Sequence, residues 1–150
     1  MRGWLLDTNV IAALINPNGA PTVKAWAAVQ AEETLYLSVL TLGEYDKGIY
    51  NLANDHPHRS RYVAARDALE ARFVGRILPV DDAVVRGWGR ISGTIKRETG
   101  HPPGVIDTML AASAIEHRLY LTTRNVRDVI LSGAAIFNPW DDDLSEFPLS

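Results

Sequence analysis

Four acidic residues stand where the sequence predicts the ends of strands or the helix turns that follow them. They are Asp7, Glu44, Asp107 and Asp128. Because the carboxyl ends of parallel strands meet at one edge of a sheet, these side chains are expected to converge on one cleft. Carboxylates that share a cleft repel each other unless a cation lies between them. Since hard divalent ions prefer oxygen ligands, the pattern predicts a Mg²⁺ or Mn²⁺ site.

Each acid also has a simpler structural explanation. Asp7 could be only a helix N-cap, and Glu44, in a predicted first helical turn, could only complement the helix dipole. Asp128 could be a solvated ion-pair residue. Asp107 is harder to explain in this way, because it lies among the apolar residues of a predicted helix, where a carboxylate needs a partner. The four positions together are therefore more informative than any one of them.

Neutral polar residues accompany two of these acids. Thr8 and Asn9 follow Asp7, while Thr123 and Asn125 precede Asp128. Their side chains suit hydrogen bonds that orient carboxylates, and they could equally be caps and turn residues. Basic residues that could contact an RNA backbone, or could simply be solvated, lie further apart. These are Arg61, Arg66, Arg90, Lys96 and Arg97.

Short apolar segments alternate with amphipathic ones along the chain. Strands are predicted at residues 3–6, 35–38, 77–80, 119–122 and 134–137. Helices are predicted at residues 7–15, 21–33, 41–53, 59–75, 105–117 and 126–131, and a further helix is capped by Asp81 and interrupted at residues 101–104. This alternation predicts an α/β protein, a three-layer α/β/α fold with a mainly parallel five-stranded sheet. Pro79 should confine the third strand to an edge.

The composition fits one folded domain. With 150 residues, 47% of them hydrophobic, the chain can fill a single core, and we expect a domain over residues 1–140 and a loose acidic tail over 141–150. The absence of cysteine excludes disulfides, thiolate metal sites and cysteine nucleophiles. The net charge of −3 argues against non-specific coating of nucleic acids. No apolar run or charged leader suggests a membrane protein or export, so a cytoplasmic location is expected.

Four segments together resemble the motifs of the PIN-domain ribonucleases, in particular the VapC/FitB-type toxins of type II toxin–antitoxin systems. Residues 5–11 (LLDTNVI) look like the first motif, and residues 38–44 (SVLTLGE) resemble the second, which ends in an acid. Residues 107–114 (DTMLAASA) are similar to the third motif and residues 122–128 (TTRNVRD) to the fourth. Residues 138–140 (NPW) are also like the ending of many such toxins.

The resemblance implies a PIN-like nuclease domain that hydrolyses RNA with Mg²⁺ or Mn²⁺ and is neutralised by a small cognate antitoxin. It also implies a homodimer. By this resemblance, Asp7, Glu44 and Asp107 are metal ligands, directly or through water. Some family members have the last acid at the position of Asn125 and others at that of Asp128, so both remain candidates here.

Two other functions are compatible with parts of the pattern. A haloacid-dehalogenase-like phosphohydrolase also begins with an Asp after its first strand, but it needs a second Asp where this chain has Asn9. A catalytically inactive PIN-like scaffold would only bind RNA or an antitoxin. The intact set of four acids argues against that scaffold.

Overall fold

A parallel β-sheet organises the chain in the computed structural model, which describes residues 1–150. Its strands are β1 (Trp4–Leu6), β2 (Leu35–Ser38), β3 (Ile77–Leu78), β4 (Tyr120–Thr122) and β5 (Ile136–Phe137). Their order across the sheet is β3-β2-β1-β4-β5, and every neighbouring pair is parallel. Because β1 is the central strand, Asp7 emerges at the middle of the carboxyl edge.

Seven α-helices connect these strands. They are α1 (Thr8–Ile15), α2 (Pro21–Ala28), α3 (Val39–Tyr50), α4 (Arg59–Arg72), α5 (Asp82–Thr99), α6 (Val105–His117) and α7 (Val126–Val129). The predicted α/β fold with a five-stranded parallel sheet is confirmed, and β3 lies at the sheet edge, as Pro79 indicates. None of the helices combines the length and the apolar character that crossing a bilayer requires.

Neighbouring side chains of β1 enter two different hydrophobic cores. Trp4 and Leu6 belong to a core that also contains residues of α1, α2, α3 and α4. Leu5 belongs to a second core, which contains residues of α6 and α7. Successive side chains of a strand point to opposite faces of the sheet, so this division follows from the period of two. Helices therefore cover both faces, as a parallel sheet requires.

Trp4 is the centre of an aromatic cluster that fixes β1. Its ring centroid lies 5.3 Å from that of Trp26, 5.0 Å from that of Tyr120 and 4.9 Å from that of Phe137. Aromatic pairs at such distances add about 0.5–1.5 kcal/mol each beyond the burial of their surface. The indole Nε1 also donates a hydrogen bond to Gln30 Oε1 at 3.1 Å. These contacts therefore fix the position of β1, and Asp7 is the first residue after this strand.

The helix predicted at residues 21–33 ends earlier in the structure, at Ala28. Residues Glu32–Thr34 form a separate 3-10 turn. The Glu32 carboxylate lies 2.9 Å from Arg72 Nε and 3.1 Å from Arg76 Nη2. The hydrogen bond from Arg72, followed by the other contacts to the two arginines, lowers the pKa of Glu32. These ion pairs hold the turn against the end of α4, so a tertiary contact outweighs local helix propensity here.

The C-terminal segment, which was expected to be loose, contacts the aromatic cluster through Phe147. The Phe147 ring lies 4.8 Å from the Phe137 ring and 5.4 Å from the Tyr120 ring, between centroids. The Tyr120 hydroxyl donates a hydrogen bond to the Pro148 carbonyl at 2.9 Å. One aromatic residue in an otherwise acidic segment thus reaches the edge of the aromatic cluster and is partly buried there.

Phe147→Ala should therefore destabilise the fold by about 1–2 kcal/mol, because two aromatic pairs are lost at a partly buried site. The midpoint of urea unfolding measures this change. Leu149→Ala, in the same segment at a more exposed position, is the matched control and should have little effect. Equal stability of the Phe147 variant and the wild type would mean that the segment does not contribute to the fold.

Candidate active site

Asp7 follows β1 directly and is also the N-cap of α1. Its Oδ1 accepts a hydrogen bond from the backbone N–H of Thr8 at 2.7 Å. Its Oδ2 accepts hydrogen bonds from Thr123 Oγ1 at 2.8 Å and from Asn9 Nδ2 at 3.1 Å. The residue is 8% exposed. The capping role and a role in a site are therefore compatible, since three donors hold one nearly buried carboxylate.

Glu44 reaches the same network through Thr8. The Thr8 hydroxyl donates a hydrogen bond to Glu44 Oε1 at 3.0 Å. Helix α3 begins at Val39 because Ser38 Oγ accepts a hydrogen bond from the backbone N–H of Leu40 at 3.0 Å. This start is two residues earlier than predicted, so Glu44 lies in the second turn, and its predicted position in the first turn is wrong. The helix dipole therefore does not explain this acid.

Thr41 is a polar residue of the site that the sequence analysis missed. It is fully buried, and its hydroxyl lies 3.5 Å from the Thr8 hydroxyl. Thr41 precedes Glu44 by three residues, so both lie on one face of α3. That spacing is the signal that could have identified it. Its position beside Thr8 limits the rotamers that Thr8 can adopt when it contacts Glu44.

Asp107 lies in the first turn of α6 and forms no ion pair. A Cβ atom at Gly104 would lie 3.2 Å from Asp107 Oδ2, so glycine leaves room for the carboxylate. Burial raises the pKa of Asp107, and the negative charges of Asp7, Asp128 and Glu44 raise it further. The charges of Asp7, Asp128 and Glu44 therefore act on Asp107, whose ionised form is disfavoured.

The two candidates for the last ligand differ in their contacts. Asp128 is exposed in the first turn of α7, and its charge acts on Asp107. Asn125 is linked to the network only through its backbone N–H, which donates to Thr123 Oγ1 at 3.0 Å. Of the four neutral residues proposed from the sequence, Thr8, Asn9 and Thr123 contact a carboxylate through their side chains, whereas Asn125 does not.

No basic side chain neutralises the four acids, because none of the chain's ion pairs includes any of them. No three acidic or histidine side chains lie close enough together to form a ready-made metal site. The charges of three of these acids therefore reach Asp107, although the four side chains do not meet at ligand distance. An all-oxygen donor set with uncompensated negative charge fits a hard divalent cation, which would lower this repulsion on binding.

The basic residues considered for RNA contact lie in different surroundings. The Arg66 guanidinium is 2.8 Å from Asp46 and 3.1 Å from Asp67, so it links α4 to α3. Arg61 lines an apolar groove with Ile15 and Tyr62. Arg90, Lys96 and Arg97 are exposed on α5. The structure therefore does not gather these five residues into one basic surface.

The comparisons with known proteins agree on one family. The model of the PIN domain matches residues 4–128. The toxin FitB of Neisseria gonorrhoeae is 33% identical over 138 residues, which cover 92% of this chain and 99% of that protein. The VapC ribonuclease Y4jK of Sinorhizobium fredii is 32% identical over 141 residues, covering 91% and 97%. A solved structure of FitAB bound to an IR36 DNA fragment has a TM-score of 0.81 at 31% identity and covers 93% of this chain and 97% of its own.

Proposed function

Since this chain belongs to the PIN domain family, we propose that it is a metal-dependent endoribonuclease toxin held inactive by a cognate antitoxin. One observation carries this proposal, namely that the charges of three other acids act on the half-buried Asp107 and that none of the four acids has a basic partner. Relatives described as a toxin and as a ribonuclease support it. An uncompensated cluster of this kind costs stability, and functional sites often carry such a cost.

The residues proposed to hold Mg²⁺ or Mn²⁺ are Asp7, Glu44 and Asp107, with Asp128 or Asn125 completing the set. When bound, such an ion supplies positive charge for the phosphate and lowers the pKa of water. The chain's own contribution is to hold these carboxylates in place before the metal ion and the RNA bind. Asp7 is held by three donors and Glu44 by the Thr8 hydroxyl, so little rearrangement of either side chain is needed during the reaction.

The proposal is tested by incubating the purified protein with a panel of structured and unstructured RNAs, with Mg²⁺, with Mn²⁺ and with a chelator. We expect cleavage only with the metal ions. If water attacks the phosphorus, the products carry 5′-phosphate and 3′-hydroxyl ends. Ends with a 2′,3′-cyclic phosphate would reject water attack, and cleavage that persists in chelator would reject the metal requirement.

Thr8→Val should lower the cleavage rate about 10- to 100-fold, as loss of a residue that orients a metal ligand usually does. The change keeps the shape of the side chain and removes only the hydroxyl that donates to Glu44. Thr22→Val, at an exposed position on α2, is the matched control. An unchanged rate for the Thr8 variant in single-turnover assays would count against Glu44 as a ligand that this hydroxyl orients.

The proposed antitoxin is a small protein that lays an apolar segment on this domain and directs a basic side chain towards the acids. An apolar groove of about 710 Å³ lies between α1 and α4, and its walls include Ile15, Tyr45, Tyr62 and Leu69. A guanidinium among unpaired carboxylates would compete with the metal for the same oxygens. Copurification from the native operon without any small partner would contradict this proposal, as would inhibition that leaves metal binding unchanged.

The proposal also includes a homodimer and action in the cytoplasm, where the RNA is. The dimer rests on the family alone, so sedimentation of the purified toxin is its test, and a monomer at working concentration would remove it. The phosphohydrolase alternative has no support, because Asn9 donates its amide to Asp7 where that mechanism needs a second acid. The RNA assay distinguishes the proposed nuclease from an inactive scaffold, because a scaffold would not cleave RNA.

A further inference from the structure

Arg124 and Trp140 form a stacked pair beside the four acids. The Arg124 guanidinium carbon lies 5.1 Å from the centroid of the Trp140 ring. Arg124 forms no ion pair and is exposed, although this chain has a net negative charge. An aromatic face behind a guanidinium restricts its orientation, so less conformational entropy is lost when the guanidinium binds an anion.

Both members of this pair are anchored. The backbone N–H of Arg124 donates to Asn9 Oδ1 at 3.2 Å, and the amide nitrogen of the same Asn9 donates to Asp7 Oδ2 at 3.1 Å. The backbone N–H of Trp140 donates to Asn138 Oδ1 at 3.0 Å. The backbone of Arg124 is therefore joined to Asp7 through the side chain of Asn9.

A cleft of about 640 Å³ opens beside Arg124, and Arg127 and Asp128 are among the other residues that line it. Arg127 is also exposed and forms no ion pair. The cleft also contains Asp141 and Asp142, but both accept hydrogen bonds from Asn138, at 3.3 Å and 2.8 Å. Asn138 thus holds these two carboxylates at the local turn, whereas the two guanidinium groups have no carboxylate partner.

We propose that Arg124, held by Trp140 and assisted by Arg127, binds a backbone phosphate of the RNA strand next to the phosphate that is cleaved. This inference rests on the proposed function, because it assumes that RNA enters the acidic cleft. The four acids repel an RNA strand, so cations beside them are needed to keep it in place. A guanidinium can bind phosphate oxygens with two parallel hydrogen bonds, which also fixes the register of the strand.

The test measures binding of a fluorescein-labelled single-stranded RNA by anisotropy, in chelator so that no cleavage occurs, at several salt concentrations. Arg124→Gln should weaken binding about tenfold and reduce the slope of log K against log salt by about 0.7, the value for one phosphate of a single strand. Arg86→Gln is the matched control, because Arg86 is an exposed arginine on α5, paired with Asp82. It should change neither quantity.

Arg124→Lys and Trp140→Phe separate the roles within the pair. The lysine variant keeps the charge and should keep the salt slope, but it should bind more weakly, because an ammonium lacks the planar fork. Trp140→Phe retains a smaller ring and should give an intermediate affinity. If Arg124→Gln binds RNA with the affinity and salt slope of the wild type, and the wild type still cleaves RNA, then the phosphate site is wrong and the proposed function stands. A wild type that neither binds nor cleaves RNA would overturn the proposed function and this site together.

Discussion

Asp7→Asn should slow metal-dependent RNA cleavage by roughly 10²- to 10³-fold, the loss expected when one preorganised electrostatic group is removed. The variant loses the negative charge at the centre of the site. It also loses a hydrogen bond, because both Asp7 oxygens accept from donors and the new amide nitrogen must face one of them. Single-turnover rates at saturating Mn²⁺ measure the loss directly.

Asp82→Asn is the control for this experiment. Asp82 is an exposed carboxylate at the start of α5, paired with Arg86 and outside the acidic cleft. Its neutralisation should leave the cleavage rate unchanged while producing the same change in net charge. A cleavage rate for Asp7→Asn within a few-fold of the wild type, in a protein that melts at the wild-type temperature, would remove Asp7 from the reaction.

The stability of the metal-free protein should depend on pH through Asp107. Burial and the charges of three neighbouring acids raise the pKa of Asp107 in the folded chain, so folding disfavours the ionised form. In chelator, the free-energy cost of ionising Asp107 in the folded chain is absent below the ordinary pKa of an aspartate. It is fully present above the raised pKa of the folded chain. The melting temperature should therefore fall as the pH rises from the ordinary pKa to the raised one. Asp107→Asn cannot ionise, so it should melt above the wild type at neutral pH.

Adding Mn²⁺ should make the wild type melt above Asp107→Asn, which is the reverse of their order in chelator. At a hundredfold excess over the dissociation constant, Mn²⁺ should stabilise the wild type by roughly 2.7 kcal/mol and Asp107→Asn by much less. Glu116→Gln, an exposed change on the same helix, should respond like the wild type. If Asp107→Asn instead melts below the wild type in chelator and responds equally to Mn²⁺, then Asp107 is a local structural residue.

Most of the fold can be predicted from the sequence, because each β-strand is a short apolar segment bounded by polar residues or breaks. Residues 35–38 were predicted with the observed boundaries, and Pro79 correctly indicated an edge strand. One error is local, since the Ser38 cap starts α3 two residues earlier than predicted, and others occur where distant residues make contact. Glu32 pairs with two arginines in the segment predicted to continue α2, and the Phe147 ring contacts the aromatic cluster.

The site is less predictable than the fold. The positions of the four acids along the chain indicated one cleft, and the raised pKa of Asp107 agrees with that arrangement. Hydrogen-bond partners could not be assigned from spacing, because Thr123 lies 116 positions from Asp7 in sequence and yet donates to it. The pairing of Arg124 with Trp140 was not predictable for the same reason, since the two segments meet only in the folded chain.

The central claim is that these acids form one divalent-metal site, and anomalous scattering from crystals containing Mn²⁺ tests it most directly. The account predicts an anomalous peak bounded by Asp7, Glu44 and Asp107, with Asp128 or Asn125 at its open side. Crystals of Asp107→Asn under the same conditions should lose most of that peak. A peak bound by other side chains, or none at a saturating concentration of Mn²⁺, would contradict the account.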